Sequence, residues 1–381
     1  MFRIELLPAG IGDSIWIEYG DPAKPRRIVI DGGPAPSYEQ GLFARVARLK
    51  KDDPKAIIDF FVVSHIDADH IDGAVILLQQ AKEMGVQLGE IWFNAWPQIA
   101  TPGPATFAPE QGEFLGALIE KAGLRDKWNT RAGGKAIFLS ETGPPREIPL
   151  EDNARLTLLS PGKTQIDRLR ARWISAVRGV GNTAEALKRL EERAQYRPPV
   201  LPPVFSGGAT PGRDRSAANG SCIAFLLEHD GAACVFAADA FPRVIAASLR
   251  RLSEARNPAR PAPIRVDAFK LSHHGGLANV SDELVSAVEC SRWLVSTEGD
   301  DHHPNRKVAE LIAKHAPGSE FFCNYKTPIT EGFADTSASP AWRTHYPDEG
   351  APAGVTGGIV LDLLPIKEPK ASRRVKRHGK G

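Results

Sequence analysis

The 381-residue sequence has only four cysteines, Cys222, Cys234, Cys290 and Cys323, and no CxxC spacing. That excludes a disulfide framework and leaves reduced core thiols as the reading. It also lacks any apolar stretch of membrane-spanning length. The longest apolar-dominated stretches, such as Ile57–Val63 and Ile359–Leu364, are the length of strands. No basic segment followed by an apolar one opens the chain, so no signal peptide is visible. A cytoplasmic location without a membrane partner is the expectation. Histidine is missing over a long interval, with none between His70 and His229. With 25% charged and 42% apolar residues, the composition is that of a globular chain with a substantial core.

Charge is uneven. Residues 367–381 carry seven Lys or Arg against one Glu, or +6, so the preceding 366 residues carry −4 within the net +2. Such a basic stretch reads as a solvated end, with a polyanion as a candidate partner. The histidines are uneven too. Six of the ten fall in three short clusters: His65 and His70, His273 and His274, His302 and His303. His229, His315, His345 and His378 read as surface residues.

Phe2–Leu6 and Ser14–Tyr19 alternate apolar and polar residues around a Gly10–Gly12 turn, which predicts a hairpin. Arg27–Ile30 predicts a strand ending at Asp31. Ile57–Val63 reads as a strand buried on both faces, ending at the His65 loop, with a helix following to about Met84. Ala232–Ala238 runs into Asp239, Val266–Leu271 into His273, and Trp293–Ser296 toward His302. A helix is expected at about Arg306–Lys314, with Pro304 in its first turn. Residues 164–220 interrupt this pattern with a charged helix-like stretch and a Pro/Gly-rich connection. They read as an insertion, either a lid or an exposed loop. The organisation expected is one α/β domain over 1–366, with that insertion and the basic stretch 367–381.

Asp31, the His65–His70 cluster, Asp239, His273-His274 and His302-His303 all lie at or just after strand C-termini. Strands ending on one edge would bring them together. In His65-x-Asp67-x-Asp69-His70, four ligand-type side chains occupy six positions. Beside a buried strand, such groups are costly without a cation. The competing reading is a solvated loop with aspartates capping the next helix.

HxDxDH closely resembles the HxHxDH signature of the metallo-β-lactamase superfamily. Asp31-Gly32, Asp239 and His273-His274-Gly275 match further pieces of that pattern. Gly10-Ile11-Gly12-Asp13-Ser14, Asn219-Gly220-Ser221, Lys270 and His303-Pro304 look like the branch with the hydrolase domain of ComEC-type competence proteins. The resemblance implies a four-layer αββα sandwich and a two-metal centre. His65 and Asp67 would hold one ion, Asp69 and His70 the other, and Asp239 would bridge. One of His273 and His274 would complete the second site; the other would orient substrate or stabilise negative charge. Asp31 would orient a ligand.

Asp67 stands where the signature has its second histidine, and the next metal histidine is missing. The first site would therefore hold at most one histidine, completed by water or an amide such as Asn94. Oxygen ligands favour Mn²⁺ or Mg²⁺ over Zn²⁺. The implied activity is a phosphodiesterase or nuclease in which metal-activated water attacks a nucleic acid or nucleotide. Asp69 or Asp67 would accept the water's proton, and His303 or the free histidine would donate to the leaving oxygen. Lys270, Asn219 and Ser221 are candidate phosphate contacts; a solvent-facing strand residue and a turn are the competing readings. Hydrolysis of a carboxyl ester, thioester, lactone or lactam is the alternative, and a degenerate binding protein the third. A regulatory protein partner is left open.

Overall fold

Period-two alternation at the start of the chain builds an antiparallel hairpin in the computed structural model, which describes residues 1–99, 110–176, 214–300 and 302–365. In β1 (Phe2–Leu6) and β2 (Ile15–Tyr19), Phe2, Ile4, Leu6, Ile15, Ile17 and Tyr19 share one buried face. β3 (Arg26–Ile30) pairs antiparallel with β2, and β4 (Ile57–Val62) and β5 (Gln87–Trp92) follow in parallel. β4 is covered on both sides, as expected. Phe60 and Val62 face the second sheet, while Phe61 and the following Val63 face outer helices. Its one acid, Asp59, accepts from Arg26 Nη1 and the Arg27 amide, so the charge is not stranded.

β6 (Glu147–Pro149), β7 (Ala154–Ser160), β8 (Ala224–His229) and β9 (Ala232–Phe236) begin the second sheet as antiparallel neighbours. The β8–β9 turn is Asp230-Gly231, with φ of 47° and 86°, the left-handed pair that a two-residue hairpin turn requires. Next come β10 (Ile264–Arg265), β11 (Ala268–Lys270), β12 (Val288–Glu289), β13 (Arg292–Val295), β14 (Ser319–Cys323) and β15 (Trp342–Pro347). β10 and β12 form a separate pair, whereas β9, β11, β13, β14 and β15 run parallel. β16 (Gly350–Ala351) closes that edge, and β17 (Ala353–Gly354) and β18 (Gly357–Leu364) return beside β1.

Three apolar layers separate four structural ones. Side chains of β1, β2, β7, β8 and β9 fill the space between the sheets. Helices Ala44–Asp52, Ala68–Gln80 and Glu110–Lys121 cover the first sheet through residues such as Val46, Leu77 and Leu118. Helices Pro242–Arg256 and Arg306–His315 cover the second through Ile245, Leu249, Val308 and Ile312. The result is the four-layer αββα sandwich. Among the described residues no helix is long and apolar enough to cross a membrane.

The C-terminal ends of β3 and β4 meet those of β9, β11 and β13 at one edge. Hydrogen bonds stitch the two sheets there: Asn324 Nδ2 to the Leu7 carbonyl, Ser296 Oγ to the Gly12 carbonyl, and the Ile223 amide to the Ser64 carbonyl. Two glycines bring the helix Ala68–Gln80 close. The Gly32 amide donates to the His70 carbonyl at 2.8 Å. A Cβ on Gly73 would lie 2.0 Å from the Gly32 carbonyl oxygen.

Three expectations need correction or placement, and one holds. His229 is not a surface residue: it is buried against Phe2 and Tyr19. Pro304 does not open the helix, because Asn305 is its N-cap and Pro304 precedes it. The four cysteines are free and buried, as expected. The start of the expected insertion is a helix, Lys163–Ala176, and its end is the short helix Ala217–Gly220. Residues 177–213 and 366–381 lie outside the described residues.

Gly→Ala inside a helix ordinarily stabilises by about 1 kcal/mol. Gly73→Ala should instead destabilise by about 1–3 kcal/mol, the cost of overpacking. Urea unfolding measures this, and a stabilised variant would contradict the close approach.

Candidate metal centre

The centre is built outward from Asp31, which is fully buried just beyond β3 with a left-handed φ of 60°. Its Oδ1 accepts from the Ser64 amide and its Oδ2 from Ser64 Oγ, both at 2.7 Å. The same Oδ2 takes the Nδ1 proton of His70 at 2.8 Å. Ser64 Oγ has one proton and gives it to Asp31. At 3.0 Å from His65 Nδ1 it must therefore accept. Both rings are thus held with Nδ1 protonated and the Nε2 lone pair turned inward.

Three more histidines follow the same rule. His274 Nδ1 donates to the Ser296 carbonyl at 2.8 Å. His273 Nδ1 lies 2.9 Å from Asn279 Oδ1. His303 Nδ1 lies 3.0 Å from Asp300 Oδ1. The His303 ring packs against His273 at 4.6 Å between centroids.

The inward atoms converge on Asp239, buried just after β9, and sort by its two oxygens. Oδ1 lies 3.4 Å from His70 Nε2 and 3.7 Å from His274 Nε2. Asp69 Oδ2 joins that half, 3.6 Å from His70 Nε2 and 3.4 Å from His274 Nε2. Oδ2 of Asp239 lies 3.5 Å from His273 Nε2 and 4.0 Å from His65 Nε2, and Asp67 Oδ2 is 3.5 Å from His65 Nε2. Asp67 and Asp69 are partly exposed and form the solvent side, while the His65 and His70 side chains are fully buried.

These atoms are costly as they stand. Nε2 of His65, His70 and His274 and Oδ1 of Asp239 are buried with no hydrogen-bond partner. Burial opposes ionisation of Asp239, yet His273, His70 and His274 hold it well below the usual carboxylate range. Burial disfavours charge on His274, but Asp239 and Asp13 push it up to about 10. His70 is raised well above its usual value against its own burial by Asp239, Asp69 and Asp31. The cluster thus draws positive charge. Protons satisfy it one ring at a time, whereas a divalent cation satisfies several lone pairs together. Three sets of carboxylate and imidazole atoms lie within 4.8 Å of one another: His65, His70 and Asp239; Asp69, His70 and His274; and Asp13, Asp31 and His70. Residue types, inward lone pairs and orphaned atoms all fit a metal ion.

The expected site residues divide clearly. His65, Asp67, Asp69, His70, Asp239, His273, His274 and His303 come together, with Asp31 behind them. Both members of the His273-His274 pair face Asp239, one on each oxygen, so neither is left over. His273 thereby gives the His65 side a second imidazole, correcting the expectation of one histidine there. Asn94 is not at the centre: its amide pairs with both the amide and the carbonyl of Ile137. Lys270 is neither a free phosphate contact nor solvent-facing. It is fully buried and donates to Asp13 Oδ2 at 2.8 Å and to the Leu271 carbonyl. Ser221 Oγ closes a local turn on the Ala218 carbonyl, and Asn219 Nδ2 is bound to Asp214 Oδ2.

Several contributors had no role in the sequence reading, although Asp13 stands in the Gly10-Ile11-Gly12-Asp13-Ser14 motif. Asp13 is buried; Lys270 overrides its desolvation and holds it well below the usual carboxylate range. Its Oδ1 lies 3.4 Å from His274 Nδ1. Ser64, Ser296, Asn279 and Asp300 fix ring orientations, and only the adjacency of Ser64 and Asp300 to the histidine clusters hinted at them. Ala238, His273 and His274 adopt left-handed φ of 44°, 48° and 55° beside Asp31, so backbone strain gathers at this edge.

A scan against protein-family models and a search of curated proteins give no match. Among solved structures, the chain is similar to the metallo-beta-lactamase fold protein YhfI from Bacillus subtilis. The identity is 14%, the coverage 95% of this chain and 100% of that one, and the TM-score 0.42. It is also similar to a variant of the CmlA beta-hydroxylase, at 10% identity, 82% and 50% coverage, and TM-score 0.36. The layering and the centre described above rest on this chain's own sheet order and distances.

Asp31→Asn preserves shape but removes the carboxylate that takes the His70 proton. It should weaken cobalt binding about 10–100-fold, as loss of an outer partner typically does. Competition with a chromophoric chelator reads the change. Unaltered affinity would mean that Asp31 does not set the His70 ring.

Proposed function

We propose that the chain is a metal-dependent hydrolase of the metallo-β-lactamase superfamily, acting on a phosphodiester of a nucleic acid or nucleotide. The observation that carries the hydrolase reading is the ring of imidazoles whose Nδ1 atoms are all engaged and whose Nε2 atoms surround one buried carboxylate. Asp69, His70, His274 and Asp239 Oδ1 would hold one divalent ion; His65, Asp67, His273 and Asp239 Oδ2 would hold a second. Each half mixes two nitrogen donors with carboxylate oxygens, a set that suits Zn²⁺ or Mn²⁺ and offers less to Mg²⁺. When bound, such ions supply Lewis acidity and a water acidic enough to ionise near neutral pH.

The chain's own groups divide the remaining work. Asp67 and Asp69, on the solvent side, turn Oδ2 toward the rings, which leaves Oδ1 to take a proton. Burial lowers the pKa of His303, with Asp300 opposing and His273 reinforcing, and Asp300 fixes its ring. That leaves Nε2 as the atom that would first take a proton and then pass it to a leaving oxygen. The buried Asp31, Asp13 and Lys270 exclude water from behind the rings and keep their orientation.

The phosphodiester assignment draws on the ComEC-like motifs and on the basic stretch 367–381. His273, which restores a second imidazole on the His65 side, also favours the carboxyl ester, thioester, lactone or lactam reading. The two part in an assay panel of bis-para-nitrophenyl phosphate, single-stranded DNA, RNA and a chromogenic lactam. Phosphodiester cleavage should dominate, vanish with chelator and return with Mn²⁺ or Zn²⁺. Asp239→Asn and His70→Ala should each cost about hundredfold or more, since a metal centre supplies several kcal/mol to the transition state. Turnover of the lactam alone would overturn the phosphodiester assignment.

The body carries −4 and the 367–381 stretch +6. Deleting 367–381 should therefore weaken polyanion binding and flatten its salt dependence while sparing turnover of a small substrate. An unchanged salt slope would remove that stretch from substrate binding.

A further inference from the structure

The hydrogen-bond network behind His273 reaches a residue with no assigned role. Asn279, buried between the two, places Oδ1 2.9 Å from His273 Nδ1 and donates from Nδ2 to Asp214 Oδ2 at 2.9 Å. Asp214 Oδ2 also accepts from Asn219 Nδ2 at 2.8 Å, and Asp214 Oδ1 accepts from the Ser216 amide. The Asp214 side chain is itself largely buried, and its Oδ2 lies 3.7 Å from His273 Nδ1.

An amide side chain has nearly the same shape either way round, so its neighbours decide which end faces which. Asp214 is an acceptor only. It therefore pulls the Asn279 amide nitrogen toward itself and leaves the amide oxygen for His273. Facing an oxygen, His273 must carry its proton on Nδ1, and the Nε2 lone pair then faces Asp239 Oδ2 at 3.5 Å. Turned round, Asn279 would present N–H to Nδ1. The ring proton would then move to Nε2, where no cation can be bound.

We propose that Asp214 is a positioning residue that, through the orientation of Asn279, sets the tautomer of His273 and so completes the His65 half of the centre. The proposal rests on the reading that His273 Nε2 faces a metal ion. Asp214 is the first described residue after 177–213, so the end of the long connection between β7 and β8 is tied to one half of the centre. Asn219, a candidate phosphate contact by sequence, acts here as a second donor to Asp214. Its own Oδ1 is buried without a partner; turning round would cost it the bond to Asp214 in the intact chain, but would let that oxygen accept from an amide at position 214.

Exchange of the two side chains tests orientation apart from shape. In Asp214→Asn, donor faces donor and Asn279 is freed to turn. In the double variant Asp214→Asn with Asn279→Asp, the introduced amide donates to the introduced carboxylate, which again accepts from His273 Nδ1.

The first measurement is long-range ¹⁵N–¹H NMR of histidine-labelled, metal-free protein at about pH 8.5, above the usual imidazole range. The His273 signals are assigned with His273→Gln. The intact chain should show the Nδ1–H form, Asp214→Asn the Nε2–H form, and the double variant the Nδ1–H form again. The second is cobalt titration followed by d–d absorption. Asp214→Asn should weaken one of two equivalents about 10–100-fold, and the double variant should restore it.

An unchanged tautomer in Asp214→Asn, or a double variant that is not rescued, would overturn the proposal. If the intact chain binds no cobalt while the tautomers follow this pattern, the metal reading fails and the role of Asp214 in orienting His273 stands.

Discussion

Everything at this edge of the sandwich depends on the carboxylate of Asp239. It is buried at the end of β9, its Oδ1 has no partner, and four imidazole Nε2 atoms lie 3.4–4.0 Å from its two oxygens. Such an arrangement is expensive in the absence of positive charge. The fold nevertheless enforces it. Each ring's other nitrogen is engaged by Asp31, Ser64, Ser296 or Asn279, so no ring can turn away to water. The parallel strands bring the loops to one edge, and the glycine contact at Gly32 and Gly73 lets the His70 helix approach Asp31. The cost is coherent if the centre exists to bind cations.

Much of this was legible in the sequence because strand ends are legible. Alternation located β1 and β2, and apolar composition located β4, β9 and β13. The ligand-type residues stand immediately after those runs. Local spacing likewise signalled the His65–His70 loop. Fold class and the eight converging side chains followed from these signals together with the family resemblance.

Orientation across the sheets was not legible. Whether His273 or His274 faces a given Asp239 oxygen depends on two consecutive left-handed residues, which no propensity at a histidine pair announces. Lys270 looked available because strand alternation cannot say that Asp13, 257 positions away, would be waiting for it. Asn94 was a candidate amide to complete the first site, yet backbone groups of Ile137 take both of its functions. Asp214 and Asn279 carry no motif of their own; their pairing exists only in the folded chain. The local pattern thus identified the side chains that converge on Asp239, and tertiary packing decided the direction in which each one points and which partners stand behind it.

The central claim is that the two oxygens of Asp239 divide the cluster into two cation sites of equal ligand type. Anomalous scattering from crystals of the chain grown with Mn²⁺ or Zn²⁺, collected at the metal's absorption edge, tests it directly. The account predicts two peaks flanking Asp239, one among His70, His274 and Asp69 and the other among His65, His273 and Asp67. A single peak, or peaks away from Asp239, would contradict it.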